Sequence, residues 1–233
     1  QPVTARLQGF VARFLQSPGL AKADAARQVH QFLSKMQDFM LSDVVVFAAE
    51  ADEEGRTNTA EGLEKFLLSR IHQKIFGIDP TDADEDAKLS RQIHGLSWVK
   101  LTHLGVPPVD PGLLALAVDE LRRVDDYKAP RDKLVCILNA SHVINDVLKR
   151  MVMTSGSGPR PLSADDFLPL LIFSVIQANP PRLHSNIEFV ATFRHPSRLV
   201  AEDAYFLTSL QSAAAFIKDA GPKAFEVAPE DFQ

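Results

Sequence analysis

Asp165, Asp166 and Pro169 lie close together in the stretch SADDFLPLLIFSVIQANPP, Ser163 to Pro181, at a spacing that helix chemistry explains only in part. Ser163 is suited to be an N-cap. With Asp166 at the third helical position it makes a capping-box pattern in which Asp replaces the usual Glu or Gln. That accounts for Asp166 and leaves Asp165 without a capping task. The plain reading of Asp165 is a first-turn carboxylate favoured by the helix dipole, worth about 0.3–1 kcal/mol. Pro169 argues against stopping there. A proline this deep in a helix removes the hydrogen bond to the Asp165 carbonyl and costs about 3 kcal/mol. A carboxylate and a local distortion therefore coincide at a helix N-terminus, and strain of this kind concentrates at functional sites.

Other residue types that could do chemistry form weaker patterns. The histidines His30, His72, His94, His103, His142, His184 and His195 include no HExxH and no pair at i, i+4, so each reads as a surface or capping histidine. Gly156-Ser157-Gly158 is followed by Pro159 and lacks the strand–turn–helix context of a phosphate loop. Cys136, the single cysteine, sits in the apolar run LVCILNA and reads as a small buried thiol; no intramolecular disulfide is available. The acidic cluster Asp82, Asp84, Glu85 and Asp86 is loosely similar to the aspartate motifs of prenyl-chain enzymes, but a matched second motif is missing, and a solvated loop is expected.

The elements that must carry these residues are helices. Leu7, Phe10, Val11, Phe14 and Leu15 form one apolar stripe, closed by Ser17-Pro18-Gly19; Val29, Phe32, Leu33, Met36, Phe39 and Met40 form the next. Asn58 with Glu61 makes a second capping-box pattern, followed by Leu63, Phe66, Leu67, Ile71 and Ile75, with Gly77 as the stop. Helices this short bury their stripes only against one another, which predicts an antiparallel bundle. The segment Asp79–Lys88 is acidic and poor in large apolar residues and marks a junction, giving a bundle over 1–84 and a second unit over 85–233. The second unit holds further helical segments: LLALAVDELRRV, a long one opening at Pro130, the Asp165 helix ended by Asn179-Pro180-Pro181, SNIEFVATF, and EDAYFLTSLQSAAAFIKDAG. Period-two alternation is absent, so the fold class is all-α.

Bulk properties narrow the function classes. The 233 residues carry a formal net charge of −5, without a basic footprint for nucleic acid. No window reaches the roughly 18 apolar residues of a membrane span. The opening residues show no leader pattern, and the cytoplasm is the expected compartment.

Over nearly its whole length, and most strongly from Tyr127 to Ile217, the sequence resembles the Vps-nine domain, with a preceding bundle, of guanine nucleotide exchange factors for Rab-five-type GTPases. The motifs that carry the likeness are VDDYKAPRDKLVCILNAS, ADDFLPLLIFSVIQANPP and EDAYFLTSLQSAAAFI, in that order. A preceding helical bundle matches the tandem layout of endosomal members, and a plant member would fit. The resemblance implies that Asp165 is the catalytic aspartate finger, and that Pro169, Tyr205 and Thr208 contact the GTPase in a groove between two helices. It implies no cofactor of the chain's own, since GDP, GTP and Mg²⁺ belong to the partner, and no covalent chemistry. It also implies a cytoplasmic protein recruited peripherally to endosomes. The alternative class is a non-catalytic helical adaptor that only holds a GTPase or another trafficking partner; an enzyme with Asp-ligated Mg²⁺ ranks third.

Overall fold

A computed structural model describes residues 2–43, 52–107, 109–154, 164–199, 201–221 and 224–225. Among them the helices are α1 (Pro2–Gln16), α2 (Lys22–Asp43), α3 (Glu53–Ile75), α4 (Asp82–Gly95), α5 (Ala115–Arg123), α6 (Pro130–Thr154), α7 (Ala164–Ala178), α8 (Leu183–Phe193) and α9 (Ala201–Asp219). Short 3₁₀ turns cover Leu101–Leu104, Pro111–Leu114, Val124–Asp126 and Pro196–Arg198. No strand occurs among the described residues, and the class is all-α. No described helix is long and apolar enough to cross a membrane.

The apolar stripes pack into two cores. Leu7, Phe14, Val29, Leu33, Met36, Leu67 and Ile71 of α1–α3 form one, which also takes Phe189 and Phe193 from α8. The other runs from Leu89 of α4 through α5, α6 and α7 to Ile217 of α9. Helix α8 therefore faces both. Leu15, expected in the α1 stripe, is 45% exposed. The carbonyls of Phe14 and Leu15 at the end of α1 are instead held by Lys74 Nζ, at 2.7 and 2.9 Å. A lysine from α3 thus satisfies acceptors that a helix end leaves open.

Two boundaries differ from the sequence expectation. Helix α3 starts five residues before Asn58, because Asp52 is the N-cap and accepts from Gly55 N at 2.8 Å, with Glu53 and Glu54 filling the first turn. Three acids at the positive helix end outweigh the Asn58 signal, and Asn58 is interior. The acidic segment near residue 84 is helix and not solvated loop. Asp82 is buried beside Lys22 and His184, and Asp86 accepts from Ser185 N (2.9 Å) and Ser185 Oγ at the start of α8. Asp86 caps a helix a hundred residues away, which no local pattern announces. Gly77 does close α3 at a left-handed φ of 61°, a conformation that glycine adopts without steric cost.

Between the cores lies a polar seam. Lys133 on α6 is 1% exposed; its Nζ donates to Val124 O at 3.1 Å and to Asn186 Oδ1, and lies 5.0 Å from the Phe76 ring. Burial pulls its pKa down to about 8. His72 stacks on Phe76 at 4.8 Å, and burial with Lys133 and Arg182 nearby lowers its pKa to about 4. Cys136 is buried, and burial pushes its thiol up to about 12, which makes it inert.

Candidate functional site

Helix α7 is apolar around most of its circumference, with Phe167, Leu170, Leu171, Ile172, Phe173, Val175 and Ile176 all buried. That anchoring fixes its first turn. Asp165 is exposed, Asp166 half-buried and Phe167 buried, so successive side chains turn from solvent into the core. Ser163 lies outside the described residues, and so does the cap expected of it. Asp165 makes no ion pair with any described residue. Pro169 is inside the helix and half-buried.

Asp165, Leu168, Pro169 and Ile172 are spaced i, i+3, i+4 and i+7, which puts them on one face. That face lines a pocket of about 330 Å³, closed by His103 and Leu104 of the 3₁₀ turn, Phe216 of α9 and Ala224. Behind it, the Trp98 ring lies 5.3 Å from His103 and 5.7 Å from Phe225. The walls are apolar apart from His103 and Asp165, and Asp165 is the carboxylate among the lining residues. The proline leaves the Asp165 carbonyl without its usual ladder donor on this same side.

Helix α9 supplies the other wall. Tyr205 is 46% exposed, with its ring 6.3 Å from Phe167 and 5.2 Å from Phe206. Phe167 therefore links Tyr205 to the turn that carries Asp165. Tyr205, Thr208, Ser212 and Phe216 follow one side of α9 by their spacing of three, four and four. Thr208 is exposed and its carbonyl accepts from Ser212 Oγ at 3.0 Å. Asp165 and Pro169 share the pocket, whereas Tyr205 and Thr208 stand outside it, nearer the start of α9. Glu202 and Asp203 fill the first turn of α9; His142 Nε2 lies 3.0 Å from Glu202, and burial holds the Asp203 carboxyl above its usual range.

Sequence reasoning missed several lining residues. Leu168 and Ile172 could have been found from their spacing to Asp165. His103 and Phe216 could not, because they arrive through tertiary packing from 62 residues before and 51 residues after Asp165. No described group of three or more His, Cys, Asp or Glu side chains is placed to hold a metal ion.

An apolar pocket with an exposed carboxylate among its lining residues and an exposed aromatic ring outside it is a candidate protein-recognition surface. Its family is given by residues 114–222, which match the vacuolar sorting protein 9 (VPS9) domain; the chain carries a VPS9 domain. Among its relatives, vacuolar protein sorting-associated protein 9A of Oryza sativa subsp. japonica is 34% identical over 230 residues, covering 97% of this chain and 47% of the relative. The protein of the same name from Arabidopsis thaliana is 32% identical over 230 residues, 97% of this chain and 43% of the relative. The Rab5 GDP/GTP exchange factor of Homo sapiens is 36% identical over 177 residues, 73% of this chain and 35% of the relative. The chain thus spans less than half the length of these curated relatives.

Proposed function

We propose that the chain is a guanine nucleotide exchange module that promotes GDP release from a Rab5-type small GTPase. In this reading residues 1–84 are a helical bundle that supports an exchange domain over residues 85–233. The observation that carries it is the placement of Asp165, an exposed carboxylate without an ion pair among the described residues, on the helix face that lines an apolar pocket. The partner class comes from relatives named for exchange on Rab5.

An exchange factor makes no covalent bond. It binds the nucleotide-free GTPase better than the nucleotide-bound form. GDP is held largely by Mg²⁺ and by a P-loop lysine on its phosphates. Asp165 offers that lysine another partner, repels the phosphates and disturbs the metal shell. A charge-assisted hydrogen bond contributes about 1.5–3 kcal/mol, which is roughly one to two factors of ten in rate. The rest must come from the groove. Pro169 shapes the wall beside Asp165, and Tyr205 and Thr208 grip the switch regions from α9. GDP, GTP and Mg²⁺ belong to the GTPase, and the module needs no cofactor of its own. The vacuolar-sorting names of its relatives favour a cytoplasmic protein recruited peripherally to endosomes.

The test loads a panel of small GTPases with a fluorescent GDP and follows its release with and without the chain. Faster release from Rab5-type members than from the others is expected. A chain that binds a Rab5-type GTPase and leaves its release rate unchanged is a helical adaptor, which overturns the reading.

A further inference from the structure

Glu64 is a carboxylate that accepts three hydrogen bonds, and these partners all lie just before α9. The side chain comes from α3 in the N-terminal bundle and is 0% exposed. Its Oε1 accepts from Arg194 Nη1 at 2.7 Å, and its Oε2 from Arg198 Nη1 at 2.7 Å and from the His195 backbone N at 3.0 Å. Glu61, one turn earlier, takes both Arg194 Nη atoms at 2.6 Å. Arg198 also donates to Gln37 of α2 at 3.3 Å. The turn from Arg194 to Arg198 is therefore tied at three points to two bundle helices. Helix α9 begins three residues later, at Ala201 with a left-handed φ of 50°.

A buried ion cluster of this kind is a poor source of net stability, because desolvating the charges offsets most of their attraction. An apolar patch of the same volume would hold the two cores together as well. What the cluster adds is direction, since each guanidinium fork accepts one geometry. The element it directs is the start of α9, and Tyr205 stands one turn inside. Asp203, in that same first turn, is half-buried, and burial raises its carboxyl.

We infer that Glu64 is a positioning residue for the GTPase-binding face: from the N-terminal bundle it holds the Arg194–Arg198 turn and so sets where Tyr205 stands. The inference rests on the exchange reading above. It makes the bundle part of the recognition geometry and not only a neighbour of it.

Two double-mutant cycles on the full chain test it, read as GDP release from a Rab5-type GTPase over a range of GTPase concentrations. Glu64→Gln keeps the shape and removes the charge. It is expected to raise the half-saturating concentration about fivefold, within the range that coupled residues show, with the saturated rate changed less than about twofold. In a Tyr205→Ala background the same change should shift half-saturation less than about twofold, because the side chain being positioned is gone. In an Asp165→Asn background the full effect should persist. Equal losses in both backgrounds mean that Glu64 only stabilises the fold, and overturn the inference. If Glu64→Gln fails to fold, Arg198→Lys, at a half-buried site, goes through the same cycles under the same criteria. If Tyr205→Ala and Asp165→Asn both leave exchange unchanged, the exchange reading fails first and this inference falls with it.

Discussion

Asp165 and Glu64 are both helix carboxylates, and their surroundings are opposite. Glu64 is sealed between two cores, with two arginines and a backbone amide on its oxygens. Asp165 stands in solvent at the lip of an apolar pocket and pairs with no described residue. A carboxylate whose partners are all intramolecular is committed to holding geometry. One left exposed on an anchored helix is available to another molecule, and its orientation has already been fixed by the burial of Phe167 and Leu170 below it. In the proposed reading, the contrast separates the part of the molecule that positions from the part that acts.

Breaking the buried side of the comparison should give the largest effect. Arg194→Ala strips one of its two arginines from the buried Glu64 and the bidentate fork from Glu61, and should lower the unfolding free energy by about 3–5 kcal/mol, read by chemical denaturation. Tyr205→Ala acts on the exposed side. It should weaken GTPase binding by about 2 kcal/mol, roughly thirtyfold in a binding titration, with the denaturation midpoint little changed because the ring is already half in water.

Acid should loosen the seam before it touches the exposed face. His72 is held neutral, with a folded pKa of about 4 against an ordinary 6.5. Below about pH 6.5 the unfolded chain takes up a proton that the folded chain refuses. The stabilisation is therefore complete above that pH and is lost as pH falls toward about 4. His30 and His195, also lowered by burial, add in the same direction. His72→Phe should flatten part of this slope in denaturation midpoints taken from pH 7 to pH 4.5. The smallest effect belongs to Asp166→Asn, expected to cost about 0.3–1 kcal/mol of stability through its place in the first turn of α7 and to leave the exchange rate near that of the parent chain.

The sequence made the helices legible because their stripes are local. Leu63, Leu67, Ile71 and Ile75 spell out α3, and Pro130 and Gly77 mark ends through backbone constraints that any chain obeys. Helix starts were less legible, since Asp52 and Asn58 offer competing caps and only packing chooses between them. The acidic run at 82–86 misled for a related reason. Its charges are paired by Lys22, His184 and Ser185, all distant in sequence, so a composition that reads as solvated loop is a helix start. Asp165 could be singled out because capping left it without a task. Glu64 could not, since an acid in a helix stripe looks like a surface residue until Arg194, 130 positions away, is seen against it. Local rules single out Asp165; Glu64 becomes visible only in the tertiary fold.

The central claim is that Asp165 acts on the partner's nucleotide and does not merely bind the partner. The direct measurement is GDP release from a Rab5-type GTPase with the parent chain and with Asp165→Asn at saturating concentration. Loss of one charge-assisted contact predicts release slower by about ten- to a hundredfold. GTPase binding should persist, and the denaturation midpoint should move by no more than the first-turn dipole contribution of about 0.3–1 kcal/mol. An Asp165→Asn chain that releases GDP at the parent rate would contradict the account.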